Sequence, residues 1–209
     1  MQPGDWRKLL VMSLLIAGGR AADEVSTFLL DPKLGAEVNL FVTNVWMRLG
    51  LPWSWTMIAA LETLFVAALV LGEWYYLRNY RSLFPTEPGY SFRRFALFCW
   101  YGRDVSVEQA SRTVLPRKRP LVLGAYLLIA VVIPTSYWAG ANNLGLHYLI
   151  DPIIRADPVH ARLHWAVGVF DVVQNVLLLV VPLGSLLGGL LWMHWRSYRE
   201  YQAGAGPST

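Results

Sequence analysis

Long apolar stretches alternate with shorter polar stretches along the chain. Four of them have the roughly 20 apolar residues that a helix needs to cross a hydrocarbon core about 30 Å thick. They are residues 6–30, 53–77, 121–141 and 164–195. Pro182 lies within the fourth stretch and is expected to bend that helix, because proline lacks a backbone N–H. The pattern predicts an all-α, polytopic membrane bundle of four transmembrane helices, forming a single domain over residues 1–209.

Two further segments, residues 34–53 and 144–164, are apolar but too short to cross a bilayer. They are also too apolar for solvated loops. We therefore expect each to be an interfacial or re-entrant element that caps the outer face of the bundle.

Positive charges indicate the orientation of the chain. The loop over residues 79–119 contains eight Lys or Arg residues against three acidic ones. Short loops rich in Lys and Arg stay in the cytoplasm during insertion. With four spans, both termini are then cytoplasmic, and the expected location is a prokaryotic inner (plasma) membrane.

Composition supports this class. Of 209 residues, 55% are hydrophobic and only 15% are charged, and the mean hydropathy is +0.38, which excludes an ordinary water-soluble domain. The net charge of +4 is accounted for by the basic loop and the termini, so the expected partner is the lipid bilayer and not nucleic acid. Cys99 is the single cysteine, so no internal disulfide can form.

Ionisable side chains within a span usually face the bundle interior or a water-filled cavity, so each is a candidate functional residue. The candidates for binding a ligand or ion lie on spans one, two and four. They are Arg20, Asp23, Glu24, Thr27, Glu62, Asp171 and Asn175. A rise of about 1.5 Å per residue places Arg20, Glu62 and Asp171 at a similar depth. Such a cluster either binds a proton, a cation or a small polar ligand, or serves only to hold the helices together.

A second set of candidates lies nearer the outer surface and includes three histidines. His160 and His164 are four residues apart and share one helix face, which suits a metal ion. The full set is His147, His160, His164, Asp31 and Glu37. Imidazole and carboxylate ligands favour zinc, iron or manganese over calcium. The alternative is that these histidines only line an interface, since the spacing lacks the glutamate of H-E-x-x-H. Haem is not expected, because His194 lies at the opposite end of the fourth span.

Two local patterns leave alternatives open. Aromatic and basic residues interleave over residues 92–103, which is typical either of a helix on an anionic membrane surface or of a loop packed on the base of the bundle. Asn142 and Asn143, at the end of the third span, either cap that helix or join the outer polar cluster. Ser106 and Gln109 have the spacing of a capping box at the start of a short helix.

The text D-E-V-S-T from Asp23 to Thr27, followed by G-A-E-V-N-L from Gly35 to Leu40, resembles an uncharacterised family of small prokaryotic membrane proteins. That family has D-x-x-x-T in its first span and G-x-E-x-N-P just after it. Leu40 stands where the motif has proline, and the likeness covers about thirty residues of the first hairpin. The resemblance implies a small helical bundle and no established activity.

These patterns favour a small membrane protein with a polar site that opens to the outer face. The core of that site is formed by Arg20, Asp23, Glu62, His164 and Asp171. A membrane-embedded hydrolase with a metal site is a variant of this hypothesis, so enzyme activity is left open. The alternative is a non-catalytic subunit of a larger complex, or a homo-oligomer, because ten Trp and ten Tyr residues suit lateral contacts.

Overall fold

A computed structural model describes residues 3–30, 50–156 and 164–204, and every regular element in these ranges is helical. The α-helices are α1 (Pro3–Leu30), α2 (Leu51–Asn79), α3 (Phe92–Tyr101), α4 (Val107–Ala110), α5 (Lys118–Gly145), α6 (Asp151–Ala156) and α7 (Trp165–Gln202). A 3₁₀ turn, Tyr80–Leu83, follows α2, and a π-helical segment, Leu146–Ile150, joins α5 to α6.

Three of the described helices are long and apolar enough to cross a membrane. They are Pro52–Leu83, Lys118–Ala156 and Trp165–Gln202, with mean hydropathies of 1.9, 1.9 and 2.2. These helices indicate a membrane protein, as the sequence predicts. The first predicted span coincides with α1, whose charged residues make it more polar than the other three.

The predicted outer caps have different outcomes. Most of the first, residues 34–49, lies outside the described residues. The described part of the second continues α5 through the π-helical segment into α6, so Lys118–Ala156 is one stretch of 39 residues. The described part of the predicted second cap, residues 144–156, is therefore helical and continuous with α5. Pro182 lies inside α7, which is assigned as a single helix from Trp165 to Gln202.

The chain divides into two compact units. The first comprises residues 1–12, 69–131 and 184–209, and its core is aromatic. Tyr76 and Tyr80 are each 2% exposed, and Phe95 is fully buried. Tyr76 and Tyr80 stack with ring centroids 5.0 Å apart, while Phe95 lies 5.1 Å from Tyr201 of α7. Offset and edge-on ring contacts of this kind add to the stabilisation from apolar burial.

Helix α3 belongs to this first unit, and its packing decides between the two interpretations of the basic aromatic segment. Ser91 caps the helix by accepting a hydrogen bond from the Arg94 amide. The buried residues Phe95 and Cys99 face the aromatic core. The apolar side of α3 thus packs on the protein itself, as the second alternative expects. The predicted capping box of Ser106 is also confirmed, at the start of α4.

The second unit comprises residues 13–68 and 132–183, and small residues bring two of its helices close together. A Cβ atom added at Gly140 of α5 would lie 3.0 Å from the backbone of Ala22 in α1. A Cβ atom at Gly19 of α1 would lie 3.1 Å from the Tyr137 ring of α5. Glycine is therefore required at this crossing for the two backbones to approach, as in other closely packed membrane helices.

Candidate functional site

The candidate site lies in the second unit, and its central feature is a two-pronged ion pair. The Arg20 Nε atom donates to Glu62 Oε2 at 2.8 Å, and Nη2 donates to Oε1 at 2.5 Å. The flat guanidinium matches both carboxylate oxygens at once, and this geometry makes such pairs strong and directional. The Arg20 Cζ atom also lies 5.5 Å from the centre of the Phe65 ring. The structure thus brings together Arg20 and Glu62, two residues that the sequence places at a similar depth.

The remaining donors of Arg20 are used by α1 itself and by α5. Nη1 donates to Asp23 Oδ2 at 3.0 Å and to Ser136 Oγ at 3.2 Å. Ser136 is 3% exposed. It reaches the guanidinium because α5 approaches α1 closely at the Gly140 crossing. One side chain therefore links three helices of this unit.

Negative charge exceeds positive charge in this cluster. Glu24 lies one turn of α1 beyond Arg20. Its carboxylate experiences the charges of Glu62, Arg20 and Asp23. Two carboxylates, those of Asp23 and Glu62, thus pair with the one guanidinium, and Glu24 adds a third negative charge within reach of its field. Arg20 is 21% exposed, Asp23 22% and Glu62 23%, so these groups are partly withdrawn from solvent, where excess charge is costly.

A neutral polar group extends the cluster along α1. The Asn143 amide of α5 donates to Ser26 Oγ at 3.2 Å and to Thr27 Oγ1 at 3.0 Å. Both hydroxyls in turn donate to the Asp23 carbonyl oxygen. Of the two alternatives for Asn143, the contacts with Ser26 and Thr27 favour the one in which it joins the polar residues of α1. The structure thus places Thr27, one of the candidates from the sequence, beside α5.

The two candidates on α7 are not part of this cluster in the described residues. Asp171 and Asn175 are both exposed, and the Asn175 amide donates to the Asp171 carbonyl oxygen at 2.9 Å. No described contact joins the Asp171 carboxylate to Arg20. Among the described residues the structure therefore brings Arg20 together with Glu62 and Asp23 and not with Asp171.

The predicted metal ligands lie apart or outside the described ranges. Asp31, Glu37 and His160 fall outside the described residues. The Nδ1 atom of His164 accepts a hydrogen bond from the Ala166 amide at 3.3 Å, so this ring helps to cap the start of α7. His147 lies edge-on to the Tyr148 ring. Within residues 3–30, 50–156 and 164–204, no group of three His, Cys, Asp or Glu residues is arranged to hold a metal ion.

The first unit contains a second charged cluster, which the sequence reasoning missed. Asp5 is 0% exposed, and its carboxylate oxygens accept from Arg81 Nη1 and Nη2 at 2.7 and 2.9 Å. Lys8 donates to Glu200 at 3.2 Å, and the Tyr80 hydroxyl donates to the same carboxylate. These residues all flank ends of apolar stretches, and that shared position is the signal that could have identified them.

The first unit also buries a carboxylate without an ion pair among the described residues. Glu73 of α2 is 1% exposed, and neither of its carboxylate oxygens has a hydrogen-bond partner within residues 3–30, 50–156 and 164–204. The positive charges of Arg196 and Lys8 act on it without an ion pair being formed. Buried polar groups without partners are rare in folded proteins, so Glu73 is a residue of interest outside the candidate site.

Comparison with known proteins adds no relative to this description. No protein-family model, curated protein or solved structure matches the chain.

Proposed function

We propose that this protein is a small integral membrane protein whose Arg20 cluster binds a proton, a cation or a small polar ligand. The observation that supports the proposal is the charge imbalance, with Asp23, Glu24 and Glu62 around one guanidinium. Excess negative charge in a partly buried cluster is relieved by a bound proton or cation. In this scheme Arg20 fixes Glu62 in place, and Glu24 and Asp23 contribute the exchangeable charge.

The proposal includes the finer topology that the sequence predicts. Helix α1 has 28 residues, which at about 1.5 Å per residue is long enough to cross the hydrocarbon core. We therefore assign α1 as a transmembrane helix in addition to the three helices that are apolar enough to cross a membrane. The basic loop over residues 79–119 then lies in the cytoplasm together with both termini, and the Arg20 cluster opens to the outer face of a prokaryotic inner membrane.

The test is the dependence of stability on protons and on sodium in lipid nanodiscs. A ligand that binds only the folded state raises stability with its own concentration. The unfolding temperature should therefore rise as the pH falls, or as Na⁺ replaces a large organic cation at constant ionic strength. In Glu24→Gln that rise should be lost, because one carboxylate fewer surrounds Arg20. Glu24 suits the test because it has no hydrogen bond or ion pair within the described residues.

Glu108→Gln is the matched control, because Glu108 is an exposed glutamate of α4 in the other unit. It should keep the wild-type response to both pH and Na⁺. If Glu24→Gln and Glu108→Gln both respond as the wild type does, the Arg20 cluster binds neither ligand. A loss of response in both variants would likewise contradict a local site.

A second function, that of a subunit in a homo-oligomer or larger complex, is favoured by one observation. Asp171 is exposed on α7, a helix whose most apolar window is only 6% buried. An ionisable residue on a membrane helix normally faces protein or a water-filled cavity, so a helix of another chain would be its natural neighbour. A Val172→Cys variant should then form a cross-link to a second chain, whereas recovery of monomers alone would contradict this function.

A further inference from the structure

The segment between α4 and α5 presents apolar and basic side chains together. Val114 is 89% exposed and Leu115 is 38% exposed. Arg112 precedes them and Arg117 and Lys118 follow, and all three are exposed. None of the three forms an ion pair within the described residues. We call residues 112–118 the basic tip.

Contacts at both ends hold the basic tip in place. Before it, the Tyr101 hydroxyl donates to the Ala110 carbonyl oxygen at 2.8 Å. After it, Arg119 Nη1 donates to the carbonyl oxygens of Leu83, Phe98 and Cys99 at 3.1, 2.8 and 3.1 Å. The tip is therefore a short exposed turn between two fixed ends, and Arg119, the basic residue directly after it, serves as an anchor.

The position of the tip indicates what it meets. Helix α5 begins at Lys118, and Lys118–Ala156 is one of the helices able to cross a membrane. A residue at the start of such a helix lies close to the lipid headgroups. Exposed Val and Leu side chains gain free energy by entering the headgroup boundary, while Lys and Arg attract anionic lipids. The apolar side of α3 is not available for this role, because Phe95 is packed in the core.

We propose that the basic tip is a binding site for anionic lipid headgroups, with Val114 and Leu115 inserted among the lipids. Arg112, Arg117 and Lys118 bind the phosphate groups. Each basic residue near an anionic surface contributes about 1 kcal/mol, which corresponds to about a fivefold change in an association constant at 1.4 kcal/mol per factor of ten.

A fluorescent probe at the tip tests the proposal. Val114→Cys is labelled with an environment-sensitive dye, and the protein is placed in nanodiscs with increasing phosphatidylglycerol in phosphatidylcholine. Cys99 should stay unlabelled, since it is 3% exposed and burial raises the pKa of its thiol to about 12. We expect a blue shift that grows with phosphatidylglycerol and is quenched by lipid-attached spin labels. Arg117→Gln and Lys118→Gln should each weaken the apparent association of the labelled tip with phosphatidylglycerol about fivefold.

Arg103→Gln is the matched control, because Arg103 is an exposed arginine of the same loop without an ion pair in the described residues. It should leave the lipid titration unchanged. Equal weakening by Arg103→Gln would mean diffuse attraction and overturn the site. Dye emission that remains typical of an aqueous environment at every phosphatidylglycerol content would also overturn the site. A shift produced equally by inorganic phosphate in phosphatidylcholine nanodiscs would assign the tip to free phosphate and contradict lipid binding.

Discussion

Replacing Arg20 by Gln removes the guanidinium that joins Glu62, Asp23 and Ser136. Glu62 would lose two charge-assisted hydrogen bonds, and Asp23 and Ser136 one each. Removing one partner of a buried ion pair costs about 3–5 kcal/mol, because the other charge stays uncompensated. The side chains of Arg20 and Glu62 are 21% and 23% exposed, so we expect the low end of that range, about 3 kcal/mol.

A double-mutant cycle separates the pair from its surroundings. Arg20→Gln, Glu62→Gln and the double variant are unfolded chemically in mixed micelles and followed by circular dichroism. The double variant should be more stable than the sum of the single losses predicts, by about 1.5–3 kcal/mol. Arg155→Gln is the control, since its pair with Asp151 in α6 leaves Arg155 74% exposed, and it should cost at most about 0.5 kcal/mol. Additivity of the two single losses within about 0.5 kcal/mol would refute the inference that this pair holds α1 to α2.

Three further predictions follow from packing and charge. Gly140→Leu should cost about 1–3 kcal/mol by overpacking against α1, whereas Gly124→Leu on the same helix, with open space around it, should be tolerated in thermal unfolding. Glu73→Leu should raise stability by about 1 kcal/mol, since it removes a buried carboxyl that has no partner in the described part of the chain; a destabilised variant would contradict this. Arg94 holds the pKa of Asp104 below its usual value through hydrogen bonds. The contribution of this pair to the free energy of unfolding is therefore present at neutral pH and is lost as the pH falls through that lowered pKa. In Asp104→Asn, the free energy of unfolding should fall less than in the wild type as the pH is lowered.

The sequence was sufficient to predict the four long helices α1, α2, α5 and α7, and it placed Arg20 and Glu62 at a similar depth. Both follow from local properties, namely apolar length and the rise of about 1.5 Å per residue. Depth also placed Asp171 level with Arg20, but depth does not say which helices are neighbours, and the described contacts of Arg20 go to Glu62, Asp23 and Ser136. Asp23 is one turn away on the same helix as Arg20, and such i, i+3 neighbours meet whatever the helix order.

The contributions of α5 were missed for a related reason. Ser136 and Asn143 are neutral, so a search for ionisable residues within the spans passes over Ser136 and leaves Asn143 ambiguous. Their roles depend on the close approach of α5 to α1, which Gly140 permits. A glycine within an apolar stretch is a weak signal alone, and here it becomes informative only together with the polar residues spaced three or four positions from it.

The charges that define the candidate site also explain why α1 differs from the other long helices. Arg20, Asp23 and Glu24 lie within its apolar stretch, and each costs a few kcal/mol to place in a membrane alone. Glu62 of α2 and Ser136 of α5 supply the partners that offset this cost. In the proposed four-span topology, α1 is therefore stable in the bilayer only when packed on α2 and α5. Insertion of α1 and assembly of the site become the same event, so a substitution that breaks the Arg20–Glu62 pair acts on both.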